Sequence, residues 1–143
     1  MIRPDWPRIW HFAELPHVIS AAEVLDRNEN HAVHEWIRLE TPVAVEFQVD
    51  GVRAFDMDRD ETAGRRFLAS LDVPIHERCT VIWVGENEGL RMPVDLCFRF
   101  FYDVWYPGAD EIWILPESRR WVIECDHEGW LRFVALAGEG SGA

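Results

Sequence analysis

Apolar and polar positions alternate at period two along two stretches of this chain. In the first, Val43, Val45, Phe47 and Val49 alternate with Ala44, Glu46 and Gln48. One buried face and one wet face produce that pattern, which predicts a half-buried strand. Asp50-Gly51 follows, a dipeptide suited to a two-residue hairpin turn, so residues 52–57 should return beside it. In the second stretch Val94, Leu96, Phe98, Phe100 and Tyr102 alternate with Asp95, Cys97, Arg99 and Phe101. Alternation sustained that far predicts the clearest strand of the chain.

Helical spacing dominates elsewhere. Ser20-Ala21-Ala22-Glu23 has the spacing of a capping box and predicts a helix start. Asn28-Glu29-Asn30 reads as a break, with Asn30 capping a second helix that carries Val33, Trp36, Ile37 and Glu40 and stops at Thr41-Pro42. A strand over residues 31–39 is the alternative. Asp60 or Thr62 should open a short helix through Leu71, with Phe67, Leu68 and Leu71 inward. Residues 79–84 read as a central strand, and residues 85–89, with a glycine at each end, as a turn.

After a turn at 106–110 come three β-rich runs, 111–115, 121–126 and 130–136, with short polar connections. Short connections between such runs imply an antiparallel meander. The fold class expected is α+β, with N-terminal helices packed on one face of a mainly antiparallel, Trp-rich sheet. Trp83, Trp105, Trp113, Trp121 and Trp130 fall in that sheet region. Residues 1–136 should make a single domain, and the small residues of 137–143 a flexible tail.

Composition narrows the function. A chain of 143 residues has room for one core that buries roughly two-thirds of the unfolded surface. The 26 acidic residues outweigh 14 basic ones, for a net charge of −12. Every basic residue is Arg, so no lysine is present for a Schiff base or a phosphate-binding loop. Such a field repels nucleic-acid phosphates and favours a basic partner. No export signal or apolar membrane span is legible, which points to the cytoplasm.

Three local motifs carry candidate chemistry. His31-Ala32-Val33-His34 sets two histidines three apart, not the four of a zinc protease helix, and no second cluster completes a metal site. Asp56-Met57-Asp58-Arg59-Asp60 starts like a calcium loop, but Glu61 and Phe67 stand where the loop needs Gly and Glu. No glycine pattern cradles phosphates. Cys125-Asp126-His127-Glu128 is chemically the richest tetrad, and a hydrolase-like enzyme would use His127 with Asp126 or Glu128. Contiguous residues on a strand point to opposite faces, however, and the same tetrad makes a good tight turn. No metal and no cofactor is expected.

The segment from Tyr106 to Trp130, through Asp110, Ile112, Ile114, Trp121, His127 and Glu128, resembles the C-terminal part of small bacterial proteins of the toxin-immunity type. The resemblance implies a binding protein rather than an enzyme, and it supplies no catalytic residues. With the acidity and the aromatics it gives the expectation of an immunity protein that neutralises a basic toxin. Asp103, Trp105, Tyr106, Asp110 and Glu111 would form one docking patch, and Glu86 and Glu88 a second. An enzyme centred on His127, or an adaptor domain, are the alternatives.

Cys79, Cys97 and Cys125 are an odd number at wide spacing, which excludes complete internal pairing. Thiol titration of freshly purified, denatured, unreduced protein should find three free thiols. A mass showing a disulfide would contradict this.

Overall fold

A computed structural model describes residues 1–40, 51–86, 88–106, 108 and 110–136, apart from the side chains of His11 and Glu40. The expected strand over 43–49, Asp50 of the hairpin turn and the tail at 137–143 lie outside the described residues.

The β-rich runs of the C-terminal half build the sheet as their spacing suggests. Among the described residues seven strands pair in the order β1-β4-β3-β5-β6-β7-β2. They are β1 (Glu23–Val24), β2 (Arg53–Asp56), β3 (Arg78–Trp83), β4 (Glu88–Pro93), β5 (Ile112–Pro116), β6 (Trp121–Cys125) and β7 (Trp130–Ala135). Every pairing is antiparallel. β3 and β4 form a hairpin, and β5, β6 and β7 form the expected meander. β3 lies inside the sheet, between β4 and β5, and buries apolar side chains on both faces. Cys79, Val81 and Trp83 enter one cluster and Ile82 enters the other.

Helices cover both faces, not one. α1 (Pro16–Ala21), α3 (Glu61–Ser70), α4 (Val94–Arg99) and α5 (Phe101–Val104) join a 3-10 turn, Ile9–Phe12, on the larger core. α2 (Arg27–Glu40) lies on the opposite face, where Val33 and Ile37 meet Ile82, Leu115, Val122 and Val134. The result is an α+β fold with an antiparallel sheet between unequal helical layers.

Three local expectations are corrected. No capping box forms at Ser20 and Glu23, since Ser20 lies inside α1 and Glu23 in β1 opposite Arg91. Pro16 opens that helix earlier, with its ring already at a helical φ and no N–H to satisfy. Residues 28–30 do not break the chain, and Asn30 is not a cap. The reciprocal box is made by Asp26 and Glu29. The Glu29 N–H donates to Asp26 Oδ1 at 2.8 Å, and the Asp26 N–H to Glu29 Oε1 at 3.2 Å. Asp60 does cap α3, accepting the Thr62 N–H at 2.9 Å.

The largest correction concerns residues 94–102, which form α4 and α5 instead of a strand. Only Asp95 and Arg99 are charged there, so nearly every position is apolar and the stretch satisfies both periods. The buried set is Val94, Cys97, Phe101 and Val104, at helical intervals. Asp95 and Arg99 then face each other one turn apart, 2.9 Å between Oδ2 and Nη2. Tryptophan packs the junctions. Trp83 donates its indole N–H to the Val104 carbonyl at 3.1 Å, and Trp6 meets it edge-on at 5.8 Å.

Gly64 on α3 sits where a side chain cannot. A Cβ there would lie 1.9 Å from Tyr102 Oη, whose hydroxyl donates to the Met57 carbonyl at 2.9 Å. Exposed helix positions gain about 1 kcal/mol from Gly→Ala. Here overpacking reverses the sign, and Gly64→Ala should lower stability by about 1–3 kcal/mol in urea denaturation. Adding Tyr102→Phe should recover part of the loss. A stabilised Gly64→Ala protein would refute the packing argument.

Candidate functional site

Antiparallel register gathers several loops at one end of the sheet. β3 ends where β4 begins (Trp83 opposite Glu88), β5 begins opposite the end of β6 (Ile112 and Cys125), and β7 begins opposite the end of β2 (Trp130 and Asp56). The turn after Trp83, the described residues between Trp105 and Glu111, the turn at 126–129 and the loop at 57–60 therefore share one rim. Gly129 holds two of them together. Its carbonyl accepts the Met57 N–H at 2.8 Å, and its φ of 101° and the nearness of Asp58 leave no place for a Cβ.

The rim is acidic, and an N-terminal strap organises it. Arg8 is nearly buried and its guanidinium lies 5.1 Å from the centroid of the Trp83 ring. Its Nε donates to Glu86 Oε2 at 2.8 Å, and its Nη2 donates to Glu86 Oε1 and, at 3.2 Å, to Asp110 Oδ1. Trp6 donates its indole N–H to Glu88 Oε2 at 2.9 Å. The two expected patches are thus one: Glu86 and Glu88 are tied to the Asp110 loop through residues 6–8.

The predicted residues take different roles within it. Trp105 is fully buried among Phe101 and Tyr102 and donates to the Asp110 carbonyl at 3.0 Å, so it is core and presents no surface to a partner. Asp110 is 6% exposed and spends its carboxylate on Arg8 and on the Tyr106 N–H at 3.0 Å. Asp103 is half-buried on α5. Glu86, Glu111 and Tyr106 are at the surface, with Glu88 half-buried beside Trp6. Trp10 packs edge-on against Tyr106 at 5.4 Å, and the two are 56% and 47% exposed.

Sequence reasoning missed Trp6, Arg8 and Trp10. The available signal was the density of aromatics at the N-terminus, where Trp6, Trp10 and Phe12 fall within two turns' length of chain.

The Cys-Asp-His-Glu tetrad folds as a turn. Asp126 Oδ1 accepts the N–H groups of Glu128 and Trp130 at 2.9 and 3.1 Å, and Oδ2 accepts from Arg132 Nη1 at 2.7 Å. Cys125 points into the core, where burial pushes its thiol far above the ordinary range, away from a nucleophilic thiolate. His127 is joined to neither neighbouring acid. It donates from Nδ1 to Glu111 Oε1 at 2.7 Å, both side chains being about half exposed. In the HxxH stretch His31 is exposed, and His34 donates to the Asn30 carbonyl at 2.8 Å. Among the described residues no three His, Cys, Asp or Glu side chains converge as metal ligands do.

The Glu111 hydrogen bond raises the pKa of His127 above the ordinary 6.5, outweighing a small loss of hydration. A raised folded value means that the pair's contribution to stability is fully present below pH 6.5 and is lost as pH rises through the folded pKa. An NMR titration should place His127 above 6.5, and Glu111→Gln should return it towards that value. An unchanged titration in Glu111→Gln would exclude the pairing.

Among the described residues, no helix is long and apolar enough to cross a membrane. Comparison of the chain with protein-family models, with curated proteins and with solved structures finds no match.

Proposed function

We propose that this chain is a protein-binding domain that docks a basic partner on the acidic rim of its sheet, acting as a cytoplasmic immunity protein that neutralises a basic toxin. The observation that carries the reading is the joining of the acidic loops around Arg8 beside the exposed Trp10–Tyr106 pair. Acidic side chains steer a basic partner and raise its rate of encounter. An aromatic pair at the same surface supplies the rigid, amphipathic area on which binding energy concentrates. The resemblance of residues 106–130 to immunity proteins supports the toxin as the class of partner. Three buried, unpaired thiols suit a reducing compartment.

The chemistry of the rim favours binding over turnover. Cys125 is buried and Asp126 is engaged by Arg132 and by the turn. Among the described residues no hydrogen bond joins the exposed Glu111–His127 pair to a Cys, Ser or Thr side chain.

The docking reading is tested on the residues at the surface, not on Asp110 or Trp105, whose loss would disturb the fold. Affinity capture from a native host, with co-expression of the captured protein to score neutralisation, supplies the partner. Its association should slow steeply as salt rises, since exposed charges are screened within about 10 Å at 0.1 M. Glu111→Lys with Glu128→Lys should slow association by about tenfold or more at low salt. Trp10→Ala should cost on the order of 2 kcal/mol in affinity, with the melting temperature little changed. Neutralisation indifferent to salt and to all three substitutions would remove the rim from the mechanism.

A further inference from the structure

The opposite end of the sheet carries arginines. Arg78 opens β3, Arg91 lies on β4 opposite Thr80, and Arg119 occupies the turn between β5 and β6. Alternation along β3 puts Arg78 and Thr80 on the same face as Ile82, the face that α2 covers. A pocket of about 180 Å³ opens there, lined by Thr80, Arg91, Glu117 and Arg119 over the apolar side chains of Val33 and Leu115.

Arg119 is unusual in backbone and in side chain. Among the described residues it alone, glycines aside, has a left-handed φ, 60°. Its guanidinium lies 4.5 Å from the centroid of the Trp36 ring. Its Nη1 is buried with no hydrogen-bond partner among the described residues, and burial pulls its pKa below the ordinary value. Arg78 repeats the feature next door, with Nε and Nη2 buried and without a hydrogen-bond partner among the described residues.

The local carboxylates do not fill the gap. Glu23 is 3.6 Å from Arg78 Nη1 and 3.8 Å from Arg91 Nη1, and Glu29 accepts from Arg91 Nη2 at 2.8 Å. Glu117 lines the pocket but is exposed, and only its backbone is tied down, its N–H donating to the Arg78 carbonyl at 2.9 Å. A guanidinium stays charged at any ordinary pH, so it cannot escape an unmet demand by losing its proton. A buried N–H without an acceptor calls for a partner, a water or an ion, and the ion that a guanidinium fork fits best is an oxyanion.

We propose that this pocket binds a small oxyanion, a phosphate or carboxylate group, held by Arg119 with Arg91 and Thr80 at its sides. The face is distinct from the acidic rim, at the other end of the same strands. The site needs no toxin and would persist if the immunity reading failed.

Isothermal titration calorimetry on the whole chain tests it, with inorganic phosphate in one arm, acetate in another, and chloride matching the ionic strength. Saturable, one-site binding of at least one of the two is expected, and the tighter arm names the chemistry. Arg119→Gly suits the left-handed backbone and removes the guanidinium. Arg119→Met keeps an unbranched stem to pack on Trp36 and guards against a folding defect in the glycine variant. Circular dichroism should show both folded, and both should weaken binding at least tenfold. No saturable heat with either anion would overturn the proposal, as would binding that is unchanged in the folded variants.

Discussion

A guanidinium taken out of water must find counter-charges close at hand, and the acidic end of this molecule is arranged around that requirement at Arg8. One side chain, 5% exposed, touches Glu86 from the β3–β4 turn and Asp110 from the loop before β5. Those carboxylates are 78 and 102 residues away along the chain. Removing Arg8 would leave Asp110 buried without a cation, and loss of one partner from a buried pair typically costs about 3–5 kcal/mol. The same contact fixes where residues 6–12 run, and so where Trp6, Trp10 and Phe12 pack. Trp6 stacks on Phe12 and meets Trp83 edge-on. The N-terminal strap, the strand turns and the exposed aromatic pair are therefore tied together by one cation and its two carboxylates.

The sheet transmits polarity from one end to the other. Antiparallel pairing brings the acidic turns together at one end and leaves Arg78, Arg91 and Arg119 towards the other. With no lysine in the chain, both ends use guanidinium, and both lay it over an indole: Arg8 on Trp83 and Arg119 on Trp36. The ends differ in what completes each cation. Arg8 has two carboxylates, whereas Arg119 has a ring and an unanswered nitrogen.

Legibility in the sequence followed the kind of signal available. The meander was readable because β5, β6 and β7 are short apolar runs cut by Pro, Ser, Gly and charged residues. β3 was readable because Val81, Ile82 and Trp83 run together without a polar break, as in a strand covered on both faces. Residues 94–102 misled because their aromatic density fits both a twofold and a helical period, and only packing chooses. Asp26 and Glu29 carried a true capping signal that Ser20 and Glu23 imitated. Glu86, Glu111 and Tyr106 were legible as surface groups from their place in turns. Asp110 and Trp105 were not legible as interior groups, because their burial depends on Arg8 and on the α5 turn. No periodicity records a contact between residues 8 and 110.

The acidic rim is more than an excess of solvated charge, because its paired members are held in place. Arg8 answers Glu86 and Asp110, and Arg132 answers Glu124 and Asp126 at 2.6 and 2.7 Å. In each cluster one cation meets two carboxylates, so each keeps a net negative charge while its side chains are fixed. Burial raises the Glu124 pKa in spite of the Arg132 hydrogen bond, which lowers it. Concentrating like charge on one end carries a cost in self-repulsion. A rim whose carboxylates are already ordered, however, loses less conformational freedom when a cationic surface meets it. Glu111 and Glu128 remain exposed around that fixed frame. The frame sets the direction of the field, and these exposed acids are the groups that an approaching cationic surface would feel with least screening by protein charge.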